Sequence, residues 1–181
     1  MSGVGRPRAV LVGPMGAGKT TVGRILAEQW GTGLRDTDHD IEAAQGRSIS
    51  DIFVEDGEAR FRELERDAVR AALAAHPGVL ALGGGAVLDP GTRAALAGHR
   101  VVFLQVGLAD AVKRVGLGTA RPLLLGSVRA QVKKLLDERL PVYRAVATVT
   151  VPTDGKSAEA VAEEVRAAVE EAETAEGGGD G

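Results

Sequence analysis

Short apolar runs alternate along this chain with longer stretches whose apolar residues return every three or four positions. Ala9 to Gly13 reads as a buried strand, and Lys19 to Gln29 as the helix after it. Leu34 to Asp36 is a weaker second strand, followed by a helix near Asp40 to Ala44. In Glu58 to Ala75, Phe61, Leu64, Ala68 and Ala72 fall on one face of a long helix. Val79 to Leu82 and Arg100 to Gln105 read as further strands, each followed by a short helix, Pro90 to Ala97 and Leu108 to Arg114. Val128 to Ala145 has a helical pattern that Pro141 should end or kink. Ala147 to Val151 supplies a fifth strand, and Ala158 to Ala172 a closing helix. Strands bounded by glycine and separated by helices predict βαβ units around a parallel sheet, an α/β fold with ligands beyond the carboxyl ends of the strands. We expect a single domain over residues 1–172 and a disordered acidic, glycine-rich tail over 173–181.

Composition narrows the partners. The formal charge of −3 gives no global attraction to nucleic acid or to an anionic membrane. No apolar run approaches the roughly 18 residues of a membrane span. The chain has no cysteine, which removes disulfides, thiolate metal sites and thiol catalysis. A cytoplasmic protein is expected. Any anion-binding function must rest on local basic residues.

The strongest local signal is Gly13-Pro14-Met15-Gly16-Ala17-Gly18-Lys19-Thr20, which fits the phosphate-loop pattern in full. It follows an apolar strand and opens a helix, so backbone N–H groups and a helix N-terminus can face phosphate oxygens. Lys19 can reach the β- and γ-phosphates of a nucleotide, and the Thr20 hydroxyl can join a magnesium shell. The pattern predicts nucleoside triphosphate binding without saying where the γ-phosphate goes.

In many such proteins an aspartate ending a second apolar strand helps hold the metal. Here Val79 to Leu82 runs into Gly83-Gly84-Gly85 with no acid. The nearest candidates are Asp36 and Asp38, which would project to one side of an extended segment. One could hold metal-bound water while the other accepts a hydrogen bond from an attacking hydroxyl. A helix N-cap at Asp38 or Asp40 is the competing reading.

The arginines are ambiguous by themselves. Arg62, Arg66 and Arg70 recur at helical spacing, and Glu58 and Glu65 lie within pairing reach of Arg62, the pattern of a solvated ion-pair face. Arg144, beside Tyr143, is equally open. In the segment 115–126, Gly116, Gly118 and Gly126 bracket Arg121-Pro122-Leu123-Leu124 without apolar periodicity, which suits a lid that closes over a nucleotide. An ordinary surface loop is the alternative.

Taken together, the sequence resembles the shikimate kinase family over nearly its whole length. The resemblance is carried by the phosphate loop with Thr21-Val22-Gly23, by Asp36-Thr37-Asp38 with Ile41-Glu42, and by Ser48-Ile49 with Ile52-Phe53. It continues through Gly57-Glu58 with Phe61-Arg62, Leu82-Gly83-Gly84-Gly85-Ala86, Arg121-Pro122-Leu123-Leu124 and Pro141-Val142-Tyr143-Arg144. It implies a three-layer P-loop kinase fold with a five-stranded parallel sheet in the order 2-3-1-4-5. It also implies transfer of the γ-phosphate of ATP to the 3-hydroxyl of shikimate, with Mg2+, on the route to chorismate and the aromatic amino acids. By similarity, Lys19, Asp38 and Arg121 carry the chemistry. ATP lies on Gly16, Ala17, Gly18, Lys19, Thr20, Thr21, Arg114 and Arg121, with the segment from Pro152 to Lys156 near the adenine. Asp38 holds the reacting hydroxyl, while Arg62, Arg144 and the backbone of Gly83, Gly84 and Gly85 hold the rest of shikimate. Thr20 and Asp36 serve the metal. Many members carry a hydroxyl residue where this chain has Ala81, so a water contact near the metal is expected to be missing. The expected partners are shikimate and ATP, with no nucleic acid and no membrane, and the expected state is a monomer.

Two other readings share the phosphate loop. A gluconate kinase would not need Asp36-Thr37-Asp38 together with Phe61-Arg62 and the triple glycine. A nucleotide-dependent switch would not need a lid arginine or paired aspartates.

Overall fold

A computed structural model describes residues 5–116 and 125–178. Five strands form one sheet: β1 (Ala9–Val12), β2 (Leu34–Asp36), β3 (Val79–Ala81), β4 (Val101–Gln105) and β5 (Val149–Pro152). Their order is β2-β3-β1-β4-β5 and every pairing is parallel, as expected. The helices are α1 (Lys19–Gln29), α2 (Thr37–Gln45), α3 (Ile49–Asp56), α4 (Glu58–Ala75), α5 (Pro90–Leu96), α6 (Leu108–Gly116), α7 (Leu125–Val146) and α8 (Ala158–Gly177).

The central strands are apolar throughout because both of their faces are covered. Ala9 and Leu11 of β1 join Val102 and Leu104 of β4 in a cluster with Leu26 of α1 and Val161 and Val165 of α8. The intervening Val10, Val12, Leu80, Val101 and Phe103 pack on the opposite face with Val69, Leu73, Leu96 and Tyr143. A third, smaller cluster lies among α2, α3 and α4, where Ile41, Ile52 and Phe61 are buried and the Phe53 and Phe61 rings stand 4.8 Å apart.

Four expectations are corrected. First, the chain does not stay extended through Asp38. Asp36 caps α2, its Oδ1 accepting from the Asp38 N–H at 2.9 Å, so Asp38 already lies in the first helical turn. Second, α3 was not expected; its eight residues are too few for a clear period, yet Ser48 caps it and Ile52 is fully buried. Third, Pro141 does not end α7. Leu140, Val142, Tyr143 and Val146 on both sides of it pack into the second cluster, and that burial offsets the lost backbone bond. Fourth, the tail is helical as far as Gly177. Glu173 bonds the Arg8 guanidinium at 2.8 and 2.9 Å and Glu176 meets Arg100 at 2.6 Å, tying the last turns of α8 to residues beside β1 and β4. No described helix is long and apolar enough to cross a membrane.

Candidate active site

At the carboxyl end of β1 the chain enters the phosphate loop and leaves it as α1. Gly18 takes the capping position of that helix at φ 91°, in the left-handed region where a Cβ would be strained. Lys19 curls back over the loop, its Nζ donating to the carbonyls of Gly13 at 2.6 Å and Pro14 at 2.9 Å. Burial lowers its pKa to about 8, against the opposing pull of Asp38 and Asp36. The Thr20 Oγ1 stands 3.4 Å from Asp36 Oδ2. Because Asp36 spends Oδ1 on capping α2, this second oxygen is the one turned towards the loop. A hydroxyl and a carboxylate facing each other at this spacing fit a small, hard cation that fills its remaining positions with phosphate and water. Among the described residues no cluster of three or more His, Cys, Asp or Glu could hold a metal by itself.

A cavity of about 290 Å³ runs from this loop to the triple glycine, lined by Lys19, Thr20, Asp36, Asp38, Gly83 and Gly84 among others. Across it lie two carboxylates. A methyl group placed on Gly83 would stand 2.7 Å from Asp38 Oδ1 and 3.0 Å from Glu65 Oε2. Only a glycine lets the β3 loop approach them so closely. Burial raises the pKa of Asp38, and the neighbouring Asp36 raises it further, while Lys19 opposes both. Burial therefore pushes Lys19 and Asp38 each towards neutrality, and their mutual attraction only partly restores the charges. Asp38 Oδ1 is buried and has no hydrogen-bond partner among the described residues, so it is an acceptor with capacity to spare.

Glu65 is 2% exposed, and its Oε1 accepts from Arg62 Nη1 at 2.8 Å. Burial raises its pKa too, with Arg62 opposing. Arg62 keeps the expected contact with the exposed Glu58 at 3.5 Å, but its shorter bond is to the buried Glu65, so it is more than a member of a solvated ion-pair face. A buried glutamate holds it from behind, and a Cβ on Gly85 would lie 2.7 Å from its Nη2. Sequence reading noticed Glu65 only as a surface partner; the signal available was its i+3 spacing from Arg62 on the face that carries Phe61 and Leu64.

The second guanidinium at the cavity is Arg139, not Arg144. Tyr143 points inward and its hydroxyl donates to the Gly84 carbonyl. Arg139 lies one helical turn earlier on the same face, and its Nη1 would be 3.8 Å from a Cβ on Gly84. Arg144, the residue after Tyr143, is rotated by about 100° around the helix and is exposed. Reading Pro141 as a break hid this, because it cut the helical phase that joins 139 to 143.

The remaining expected residues lie around the loop. Gly16 and Ala17 form the loop before Gly18, and Thr21 follows Thr20 into α1 beside the cavity. Arg114 Nη1 donates to the Gly16 carbonyl at 2.7 Å, fastening α6 to the loop. In the Pro152–Lys156 segment, Asp154 accepts from the Gly107 N–H at 2.8 Å, and Lys156 turns away to Glu164 at 2.9 Å. Ala81 is in register with Asp36 on β2 and Leu11 on β1, so its methyl offers Asp36 no hydrogen bond. Arg121 and residues 117–124 of the expected lid lie outside the described residues.

The geometry has close counterparts. Residues 15–170 match the family model described as shikimate kinase. A shikimate kinase of Thermobifida fusca is 64% identical over 158 residues, covering 87% of this chain and 92% of that protein. One from Salinispora arenicola is 62% identical over 161 residues, covering 89% and 96%. Among solved structures, shikimate kinase from Acinetobacter baumannii in complex with shikimate superposes with a TM-score of 0.80 at 38% identity, over 88% of this chain and 90% of that one. A gluconokinase from Sinorhizobium meliloti, at 18% identity and a TM-score of 0.58, shares the fold alone. Sequence likeness of that extent, falling on a chain that faces its phosphate loop with an aspartate and two arginines, means that the protein belongs to the shikimate kinase family.

Proposed function

We propose that this chain transfers the γ-phosphoryl group of ATP to the 3-hydroxyl of shikimate, releasing ADP and shikimate 3-phosphate. The observation that carries the reading is the single cavity in which Lys19 and Thr20 face Asp38 and the triple glycine, with Arg62 and Arg139 behind. The loop backbone and Lys19 hold the phosphates. Asp38, with a free acceptor oxygen, orients the attacking hydroxyl and takes up its proton as the new P–O bond forms in line with the breaking one. Arg62, braced by Glu65, and Arg139 clamp the acceptor's carboxylate. A planar carboxylate on two guanidinium groups is a charge-assisted arrangement that also fixes orientation. Arg139 takes the role expected of Arg144.

Thr20 and, through water, Asp36 would hold Mg2+, which when bound neutralises charge on the β- and γ-phosphates. Arg114 would lie beside the nucleotide. The role expected of Arg121, reaching the phosphates from the lid, rests on the sequence pattern alone.

Release of ADP measured with and without shikimate tests the reading. Turnover stimulated by shikimate and not by gluconate is expected. Equal stimulation by gluconate, or slow hydrolysis indifferent to either acceptor, would overturn it.

A further inference from the structure

Tyr143 is the largest fully buried side chain among the described residues. Its ring stacks on Phe103 with centroids 5.0 Å apart, a contact that phenylalanine would make equally well. The hydroxyl therefore needs its own explanation. It donates to the carbonyl of Gly84, the middle residue of the triple glycine. The flanking carbonyls are used differently: Gly83 accepts from the Ala86 N–H and Gly85 from the Leu88 N–H, both at 3.1 Å, as the chain turns into the short 3₁₀ segment Ala86–Leu88. A Cβ on Gly84 would lie 3.4 Å from the Met15 N of the phosphate loop and 3.8 Å from Arg139. The Gly84–Gly85 peptide is thus the piece of backbone lying between donor loop and acceptor clamp.

That peptide is planar, and none of the described peptides is cis. With its carbonyl turned to Tyr143, its N–H, which belongs to Gly85, points to the opposite side. Arg62 is on Gly85's doorstep, its guanidinium 2.7–2.8 Å from where a Cβ would be. Building on the acceptor reading above, we propose that Tyr143 is a positioning residue for shikimate. Its hydroxyl locks the Gly84–Gly85 peptide so that the Gly85 N–H and the Arg62 guanidinium are presented together to the acceptor's carboxylate. The same bond fixes the phase of α7, and with it the approach of Arg139 from one turn earlier. Burial raises the pKa of the phenol, so the hydroxyl keeps the proton it donates.

The test uses the full chain, with shikimate and its methyl ester as probes. The parent enzyme must first release ADP in response to shikimate; if it does not, the proposed function fails and this inference with it. Given that turnover, Tyr143→Phe should raise KM for shikimate about tenfold, because the Gly84 carbonyl loses its donor and the peptide its orientation. KM for ATP should stay within about twofold, and the preference for acid over ester should narrow. Phe103→Leu loosens the ring contact but leaves the hydroxyl, so it should lower Tm while keeping the acid-to-ester ratio of the parent. Parental KM and ratio in Tyr143→Phe would overturn the inference and leave the proposed function intact. So would KM losses in both variants that track their Tm, or failure of Tyr143→Phe to fold, since the role would then be packing.

Discussion

The two sides of the cavity are built by different means. The donor side is one continuous stretch of backbone from Gly13 to Thr20, with Lys19 folded onto its own loop carbonyls. The acceptor side is a set of charges from separate elements around a buried glutamate: half-buried Asp38 on α2, Arg62 and the buried Glu65 on α4, and half-buried Arg139 on α7, meeting at the β3 loop. A backbone cradle loses one contact at a time. In a partly buried charge network each member is costly without its partners, so deletions there are coupled. The donor side should therefore fail in rate, and the acceptor side mainly in binding and selectivity.

The sharpest break in that contrast would come from Lys19→Ala. It should lower kcat by about a thousandfold or more, through lost charge stabilisation in the transition state. Tm should not fall, because Lys19 is buried at a cost visible in its pKa of about 8. Near-normal turnover would undo the assignment of the donor side. Next in size, Asp38→Asn should lose about a hundredfold or more in kcat while ATP affinity by calorimetry stays near the parent's. Loss of nucleotide affinity instead would move Asp38 to the donor side and leave Asp36 as the hydroxyl partner.

Selectivity sharpens the comparison on the other side. The methyl ester of shikimate should be poorer by roughly a hundredfold in kcat/KM, since two guanidinium groups lose their partner. Arg62→Leu and Arg139→Leu should each weaken shikimate and narrow that gap. Arg144→Leu should change neither by more than about twofold, as an exposed side chain away from the cavity. If Arg144→Leu behaves like Arg62→Leu, the phase of α7 has been misread.

Among the charged groups of the acceptor side, the smallest expected loss belongs to Glu65→Gln, about tenfold in KM for shikimate from loosened support of Arg62. It carries a pH signature. Burial raises Glu65 above its ordinary 4.5, so its contribution to stability is full below that value and is lost as the pH rises through the folded-state pKa. Glutamine has no proton to lose. The Tm difference should thus move in the variant's favour from pH 4 to pH 7, and a constant difference would mean that the fold does not raise the Glu65 pKa.

The same contrast explains what could be read in advance. The donor loop was legible because its chemistry is contiguous, and α1 and α4 were placed correctly because glycines precede them and a strong apolar period runs through α4. The sheet order came with the family resemblance. The acceptor side was only half legible. Asp38 and Arg62 were named, but Glu65 looked like an ordinary helix-surface acid, and whether it is buried depends on what packs over α4. Arg139 depended on α7 running through Pro141, and a local rule against proline cannot weigh the burial of Tyr143 beyond it. The end of α8 was misjudged for a related reason: Glu173 and Glu176 look like solvent-exposed tail residues until Arg8 and Arg100 are seen beside them.

Asp36 carries a consequence for redesign. One of its oxygens caps the helix whose first turn carries the acceptor aspartate, and the other faces Thr20. A single carboxylate is therefore the mechanical joint between the two halves. An engineer seeking a new acceptor has room on α4 and α7, where side chains can be exchanged without disturbing the phosphate loop. At Asp36 there is no such freedom. Even the isosteric asparagine keeps only one acceptor oxygen, so it can cap α2 or face Thr20 but not both, and turning that oxygen to the metal side would cost the cap that aims Asp38.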